Sequence, residues 1–106
     1  MDIIEMTREL AKKLQQEEAY ILLNTTQRAV EEDDALQEAI ADFNMKRYEL
    51  TQEVTKKDRD DAKVDELDKL VRQMYDDITN NEEMAAYNKA QDEFNDMFEY
   101  VLHILQ

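Results

Sequence analysis

The last quarter of the chain, Glu82–Leu105, decides the fold; it reads EEMAAYNKAQDEFNDMFEYVLHIL. One row of its residues alternates by three and four positions, which is the period of one face of an α-helix: Met84, Tyr87, Gln91, Phe94, Phe98, Val101 and Leu105. A second row recurs every seven residues beside the first and comprises Ala90, Met97 and Ile104. The stretch predicts a helix about 36 Å long. Its apolar face is wider than a narrow coiled-coil seam and could contact partners on two sides.

Four stretches upstream show the same helical period. Their apolar stripes run, in chain order, through Ile3, Met6, Leu10 and Leu14; through Ala19, Leu22, Leu23, Thr26 and Val30; through Leu36, Ile40, Phe43, Arg47, Leu50 and Val54; and through Val64, Leu67, Val71, Met74 and Ile78, widened by Leu70. These stripes predict two short N-terminal helices followed by two longer ones.

Polar segments separate the five stripes. We expect a break at the acidic run 31–34, with Asp33 or Asp34 capping the next helix, because carboxylates favour a helix N-terminus. The segment Thr55–Lys63 has only Ala62 to bury and predicts the tip of a helical hairpin. Asn80 and Asn81 should end the fourth helix in the left-handed conformation that Asn tolerates, and then cap the last helix.

The composition supports an all-helical fold. Gly, Pro, Ser, Cys and Trp are absent from the 106 residues, whereas tight β-hairpins depend on residues that supply positive φ. The predicted fold class is therefore all-α: one domain, 1–106, forming an elongated antiparallel bundle of about five helices, two short and three longer, which we expect to be dimeric. A final helix of about 36 Å is nearly too long to fit within a compact globule of this many residues, whose radius of gyration would be about 13 Å.

The charge balance narrows the classes of partner. The chain carries 27 acidic and 13 basic residues, a formal net charge of −14. Such a field repels phosphate backbones and anionic lipid, so we expect neither direct nucleic-acid binding nor membrane docking. The chain has no apolar run of 18 residues, and its first residues lack the basic and apolar regions of a signal peptide. A cytoplasmic location is expected.

The residue inventory argues against catalysis. Without Ser or Cys, nucleophiles would have to be Thr or Tyr, and His103 is the one histidine available as a base. Phosphate-cradling loops need glycine, and the chain has none. We therefore expect no enzymatic activity and no cofactor.

Two alternatives come from the carboxylates. A helical bundle rich in acids could bind metal, but Glu99 and His103 offer two ligands where four to six are needed, and we expect His103 to face solvent. The run Asp58, Asp60, Asp61 resembles the start of a calcium loop, yet the turn glycine is missing and position 69 is Lys, which favours a solvated hairpin tip. The other alternative is an acidic mimic of nucleic acid that blocks a basic site.

The segment from Asn80 to Leu105 resembles the C-terminal helix of the YlbF/YmcA family of small bacterial helical proteins. The match runs through Asn81, Met84, Tyr87, Ala90, Phe94, Met97, Val101 and Ile104. Leu36, Ile40 and Phe43, followed by Tyr48 and Gln52, are similar to the family's long middle helix. Ala11, Leu14, Glu18 and Tyr20 fit its opening pair of helices.

The resemblance implies a non-enzymatic regulator. Family members form helical dimers, and two of them join a third protein in a complex linked to competence, sporulation, biofilm formation and ribonuclease Y-dependent RNA processing. Some members bind iron–sulfur clusters through cysteines; this chain has none, so it lacks the thiolate ligands for such a cluster.

The resulting hypothesis is an interaction or regulatory protein that acts as an adaptor by presenting helical faces. Its expected partners are a second copy of itself and other family members or ribonuclease Y-associated proteins. Of the six methionines, Met45 lies off the main stripe and is a candidate surface contact. The residues expected to contact the dimer partner or another protein are Tyr87, Ala90, Phe94, Met97, Phe98 and Val101.

Overall fold

The computed structural model describes residues 2–106, which form five α-helices and, within that range, no strand. They are α1 (Ile3–Gln16), α2 (Glu18–Glu32), α3 (Asp34–Thr55), α4 (Asp61–Thr79) and α5 (Glu82–Leu105). The all-α class and the two-short, three-longer helix pattern are confirmed. The last helix begins and ends where the periodicity predicted.

Four of the five helices form two antiparallel pairs arranged end to end. Helix α2 packs along α5, and α3 packs along α4. The described chain measures 65 × 30 × 18 Å, with a radius of gyration of 19.9 Å, against about 13 Å for a compact chain of 100 residues. The bundle is therefore elongated, as the sequence predicted. Because each helix has one main neighbour, much of each helix remains uncovered.

The two pairs meet at a junction, where the chain passes from α2 to α3 and again from α4 to α5. Val30, Leu36 and Ile78 are buried there, with Met84 and Tyr87 packed against them. The N–H of Leu36 donates to the Asp33 carboxylate at 3.0 Å, so Asp33 is the cap that the acidic run predicted. On the other side the Asn81 side chain accepts from the N–H groups of Glu83 and Met84, at 3.0 and 3.1 Å.

The expected left-handed Asn at the end of α4 is wrong. Asn80 has φ −86° and ψ −6°, in the right-handed region, and no residue in the range 2–106 has positive φ. The reason lies in the local bonding: the Asn80 N–H donates to the Asp76 carbonyl and the Asn81 N–H to the Ile78 carbonyl. These bonds close the helix end, and extended Asn81 then redirects the chain without positive φ.

The α3–α4 connection falls inside the predicted hairpin tip. Asp60 ends this connection, and its carboxylate accepts from the N–H groups of Ala62 and Lys63 at 3.0 and 3.3 Å. Asp61 pairs instead with Arg59 at 3.1 Å. Two of the three aspartates that resemble a calcium loop, Asp60 and Asp61, thus serve to cap α4 and to form a surface ion pair.

Helix α1 is the least enclosed element. Asp2 caps it by accepting from the Glu5 N–H at 2.7 Å. The helix contacts α2 but has no buried residue of its own. Isolated helices of this length are marginally stable in water. The apolar stripe of α1 is typical of a helix that packs against a neighbour, yet most of this stripe is left uncovered by the rest of the chain.

Candidate interaction surface

Three of the predicted contact residues pack within the chain. Ala90 is 1% exposed, Tyr87 packs on the junction core, and Phe94 meets the ring of Tyr20 with centroids 5.8 Å apart. The first half of the apolar face of α5 therefore packs against α2 and against the junction core. That these residues also contact a partner stays a prediction.

The other three predicted residues lie further along α5 and are less covered. Met97 and Val101 are half-buried, and Phe98 is exposed. The Phe98 ring lies nearly parallel to that of Phe94, with centroids 6.1 Å apart. Up to Phe94, α5 is covered by the rest of the chain; beyond Phe94, its apolar side chains are partly or largely exposed to solvent.

The last turns of α5 are apolar over slightly more than half of their circumference. At 100° per residue, the apolar residues of 97–105 span about 200° of the helix circumference. Those that remain exposed are Phe98, Tyr100, Leu102, Ile104 and Leu105. Ile104 keeps 65% of its surface in solvent. A single neighbour such as α2 covers only one side of such a helix.

Helix α1 extends this apolar region. Ile3, Met6 and Leu10 line a groove of about 400 Å³ together with Leu105 of α5, so both elements lie at the same end of the molecule. Ile3 is 80% exposed. We call the exposed apolar side chains of α1 and of residues 97–105 the terminal surface; they are Ile3, Ile4, Met6, Phe98, Tyr100, Leu102, Ile104 and Leu105.

The net charge is low at this end of the molecule. Residues 2–16 carry three acids and three bases, and in 97–106 Glu99 is the one formally charged side chain. Nearly all of the net charge of −14 therefore lies on residues 17–96. The terminal surface therefore combines several exposed apolar side chains with a net charge near zero.

A second apolar groove lies on the α3–α4 pair. Phe43, Val71 and Tyr75 line it, with a volume of about 490 Å³. The guanidinium of Arg47 lies 5.5 Å from the centroid of the Phe43 ring, within the range of a cation–π contact. Met45, the predicted surface methionine, is 62% exposed on α3.

Two carboxyl groups face each other across the junction. The Glu83 carboxyl, in the first turn of α5, lies within hydrogen-bonding reach of Asp33, the cap of α3. The bond to Asp33, partial burial and the like charge raise the pKa of Glu83 above its ordinary 4.5. The backbone N–H of Leu36, followed by the bond to Glu83, lowers the pKa of Asp33. Of the two carboxyl groups, Glu83 therefore takes up a proton more readily than Asp33.

A buried glutamate fixes the hairpin tip. Glu53 is 5% exposed, accepts from the Asp60 N–H at 3.0 Å, and lies 2.9 Å from the Lys56 ammonium. The Asp60 N–H, followed by Lys56, holds the pKa of Glu53 below its ordinary 4.5. The helical periodicity did not predict the burial of Glu53, because an acidic residue beside the Leu50–Val54 stripe would be expected to face solvent.

The described residues hold no constellation typical of a metal site. Within 2–106, no group of three His, Asp or Glu residues is arranged to bind a metal ion. His103 is exposed in the last turn of α5, as expected, where a cation suits the helix dipole. No helix in the same range is both long and apolar enough to cross a membrane.

Comparison with known proteins agrees with the architecture. Residues 3–106 match the family described as "Control of competence regulator ComK, YlbF/YmcA". Searches of curated proteins and of solved structures give no significant match. Because the family match spans essentially the whole helical chain, this protein belongs to the YlbF/YmcA family of competence regulators.

Proposed function

We propose that this protein is a non-enzymatic cytoplasmic adaptor that regulates by binding other proteins through its helical faces. The observation that carries the proposal is the terminal surface, an extensive exposed apolar region on a member of a regulator family. Exposed apolar patches of this kind mark protein–protein contact sites. A chain without Ser, Cys or Gly has few means of catalysis but can still present such a surface.

The proposed partners are a second copy of the chain and other family members or ribonuclease Y-associated proteins. The family resemblance supports them, together with the roles in competence, sporulation, biofilm formation and RNA processing that it implies. The absence of cysteine separates this adaptor from members that carry an iron–sulfur cluster. Direct nucleic-acid or membrane binding forms no part of the proposal, because a charge of −14 opposes both.

Affinity capture tests the partner set. The tagged chain is incubated with lysate of its source cell, and the retained proteins are identified by quantitative mass spectrometry at low and at high salt. The proposal expects ribonuclease Y or other family members to be enriched, with apolar contacts that persist at high salt. Retention of a basic nucleic-acid-binding protein that is lost steeply with salt would favour the acidic-mimic alternative and contradict the adaptor.

A further inference from the structure

The two helix pairs are joined by two short crossings of the chain. Within residues 2–106, helices of different pairs pack together only as α2 with α3 and as α4 with α5. Asp33 alone connects the first two, and Asn80 and Asn81 connect the others. Asp33 and Asn81 lie in the extended backbone region, which is broad enough to absorb a change of direction. Two such crossings side by side have the form of a hinge, in which a few residues at helix ends take up a change of angle.

The apolar contact at this hinge is confined to one point of the long molecule. Its buried side chains are Val30, Leu36 and Ile78. One further bond spans the α2–α3 crossing: the Gln37 side-chain amide donates to the Val30 carbonyl at 2.9 Å. A core of this extent holds the pairs together, but it does not run along them. The angle between the pairs therefore depends on the polar contacts between the crossings.

Two carboxyl groups form such a contact. Asp33 is the α2–α3 crossing itself, Glu83 follows the α4–α5 crossing, and their carboxyls lie within hydrogen-bonding reach. The Glu83 Oε2 atom is enclosed, and no donor among residues 2–106 bonds to it. None of the ion pairs in the same range includes either residue. With both groups ionised, two like charges face each other and an enclosed oxygen lacks a donor, which is costly.

A single proton removes both costs. Protonated Glu83 can donate its O–H to the Asp33 carboxylate, and a hydrogen bond to a charged acceptor is among the stronger ones in proteins. The pKa directions place the proton in this way. The contact with Asp33 raises the pKa of Glu83, whereas the N–H of Leu36 holds the pKa of Asp33 low.

The other carboxylates near the junction do not substitute for this pair. Asp77 of α4 lines a cavity together with Asp33, but it accepts from Gln73 of its own helix at 2.9 Å. The charge that acts on Glu83 is that of Asp33. The remaining carboxylates at the helix ends that meet here, and Asp77 with them, are exposed; they are Glu31, Glu32, Asp34 and Glu82.

We propose that the junction is a pH-sensitive hinge: a proton on Glu83 fastens the two crossings together and keeps the helix pairs end to end, and its loss frees the pairs to bend. The structure shows the two carboxyls in contact in the end-to-end arrangement, so the fastened state is the straight one. Bending changes the angle between the terminal surface and the α3–α4 groove. The inference does not depend on self-association.

Single-molecule energy transfer tests the hinge. The chain has no cysteine, so dyes can be attached through Lys57→Cys at the hairpin tip and Asn95→Cys on α5, both exposed sites. At 1.5 Å per helical residue, these sites lie about 50 Å apart in the straight chain. Picomolar concentrations restrict the measurement to monomers. As the pH falls from about 8 to about 4.5, we expect the share of bent molecules to fall roughly tenfold, the least that one hydrogen bond to a charged group supplies.

Three variants in the labelled chain separate the pair from general charge effects. Glu83→Gln stays neutral and can still donate to Asp33, so its bent share should be low at every pH. Asp33→Asn keeps a good N-cap residue while removing the facing charge, and it should also flatten the pH response. Glu82→Gln, an exposed change one residue away, should respond like the unmodified chain.

The outcomes that overturn the hinge are distinct. A bent share that does not change with pH in the unmodified chain contradicts it, and so does a Glu83→Gln variant that keeps the full pH response. A response lost equally in Glu82→Gln indicates the overall charge of the chain and overturns the assignment to Glu83. Circular dichroism at each pH checks that helix content is constant, so that bending is not confused with unfolding.

Discussion

The junction core should carry a large share of the stability of the chain. Leu36 is 4% exposed and packs between the two helix pairs. Replacing Leu36 by Ala deletes three carbon groups, worth about 2.4 kcal/mol at roughly 0.8 kcal/mol per buried CH₂. Cavity formation adds to this, and measured Leu→Ala costs in cores run from about 2 to 5 kcal/mol. We expect Leu36→Ala to lower the free energy of unfolding by about 3 kcal/mol.

Leu70→Ala is the matched control. Leu70 also lies in a helix, on α4, but is 41% exposed. Its truncation removes less buried surface and leaves no closed cavity, so a cost of about 1 kcal/mol is expected. Urea unfolding followed by circular dichroism measures both variants at one fixed protein concentration, because self-association would shift apparent stability. Equal losses in the two variants would refute the assignment of the junction as the core.

Two further predictions concern carboxylates. The pKa of Glu83 is raised in the folded chain. The contribution of this carboxyl to folding stability is therefore complete below its ordinary pKa and is lost as the pH rises through the raised value. Glu83→Gln, which keeps the side chain neutral, should be more stable than the unmodified chain at pH 7, and the difference should shrink in mild acid. The pKa of Glu53 is lowered, so its contribution is present above the ordinary pKa and is lost as pH falls through the lowered value. Glu53→Gln should be less stable at neutral pH and should speed hydrogen exchange at the Asp60 amide.

Neighbouring glutamates serve as controls for these two variants. Glu82→Gln makes the same change one residue earlier in α5, at an exposed site, and should not reproduce the pH-dependent gain of Glu83→Gln. Glu49→Gln removes a half-exposed partner of Lys46 on α3 and should leave exchange at Asp60 unchanged. A gain in Glu82→Gln as large as that in Glu83→Gln would contradict the facing carboxyl pair. Unchanged Asp60 exchange in Glu53→Gln would contradict the tip contact.

Local features of the fold could be predicted because they depend on neighbours in sequence. The ends of α5 followed from the three–four alternation, and Asp33 was predictable as a cap because its carboxylate accepts from an N–H three residues away. The hairpin tip followed from nine residues with little to bury. Each of these features needs only helix periodicity and end chemistry.

The features that could not be predicted involve residues brought together by packing. Asp33 and Glu83 meet across the junction although they lie on different helix pairs, and nothing in either local sequence marks the contact. Glu53 is buried because the returning chain supplies the Asp60 N–H and lysines to pair with it. The choice of α2–α5 and α3–α4 as pairs was equally hidden, since any amphipathic stripe can pack on any other.

For the candidate site, periodicity identified α5 but could not divide its residues between core and surface. Ala90 and Phe98 both lie on predicted apolar rows, yet the first is enclosed by the chain and the second is exposed. The stripe of α1 looked like that of any packed helix. Its lack of cover emerged only from the paired arrangement, which places α1 at the end of the molecule with a single neighbour.

Isotope-filtered NMR would show whether a second copy of the chain covers the terminal surface, as the proposed function expects. Labelled and unlabelled chains are mixed in equal amounts, so that filtered cross-peaks report contacts between protomers alone. We expect intermolecular contacts from the methyl groups of Ile3, Met6, Ile104 and Leu105. Contacts confined to Met45 and the aromatic rings of α3 and α4, or no intermolecular contacts at millimolar concentration, would contradict it.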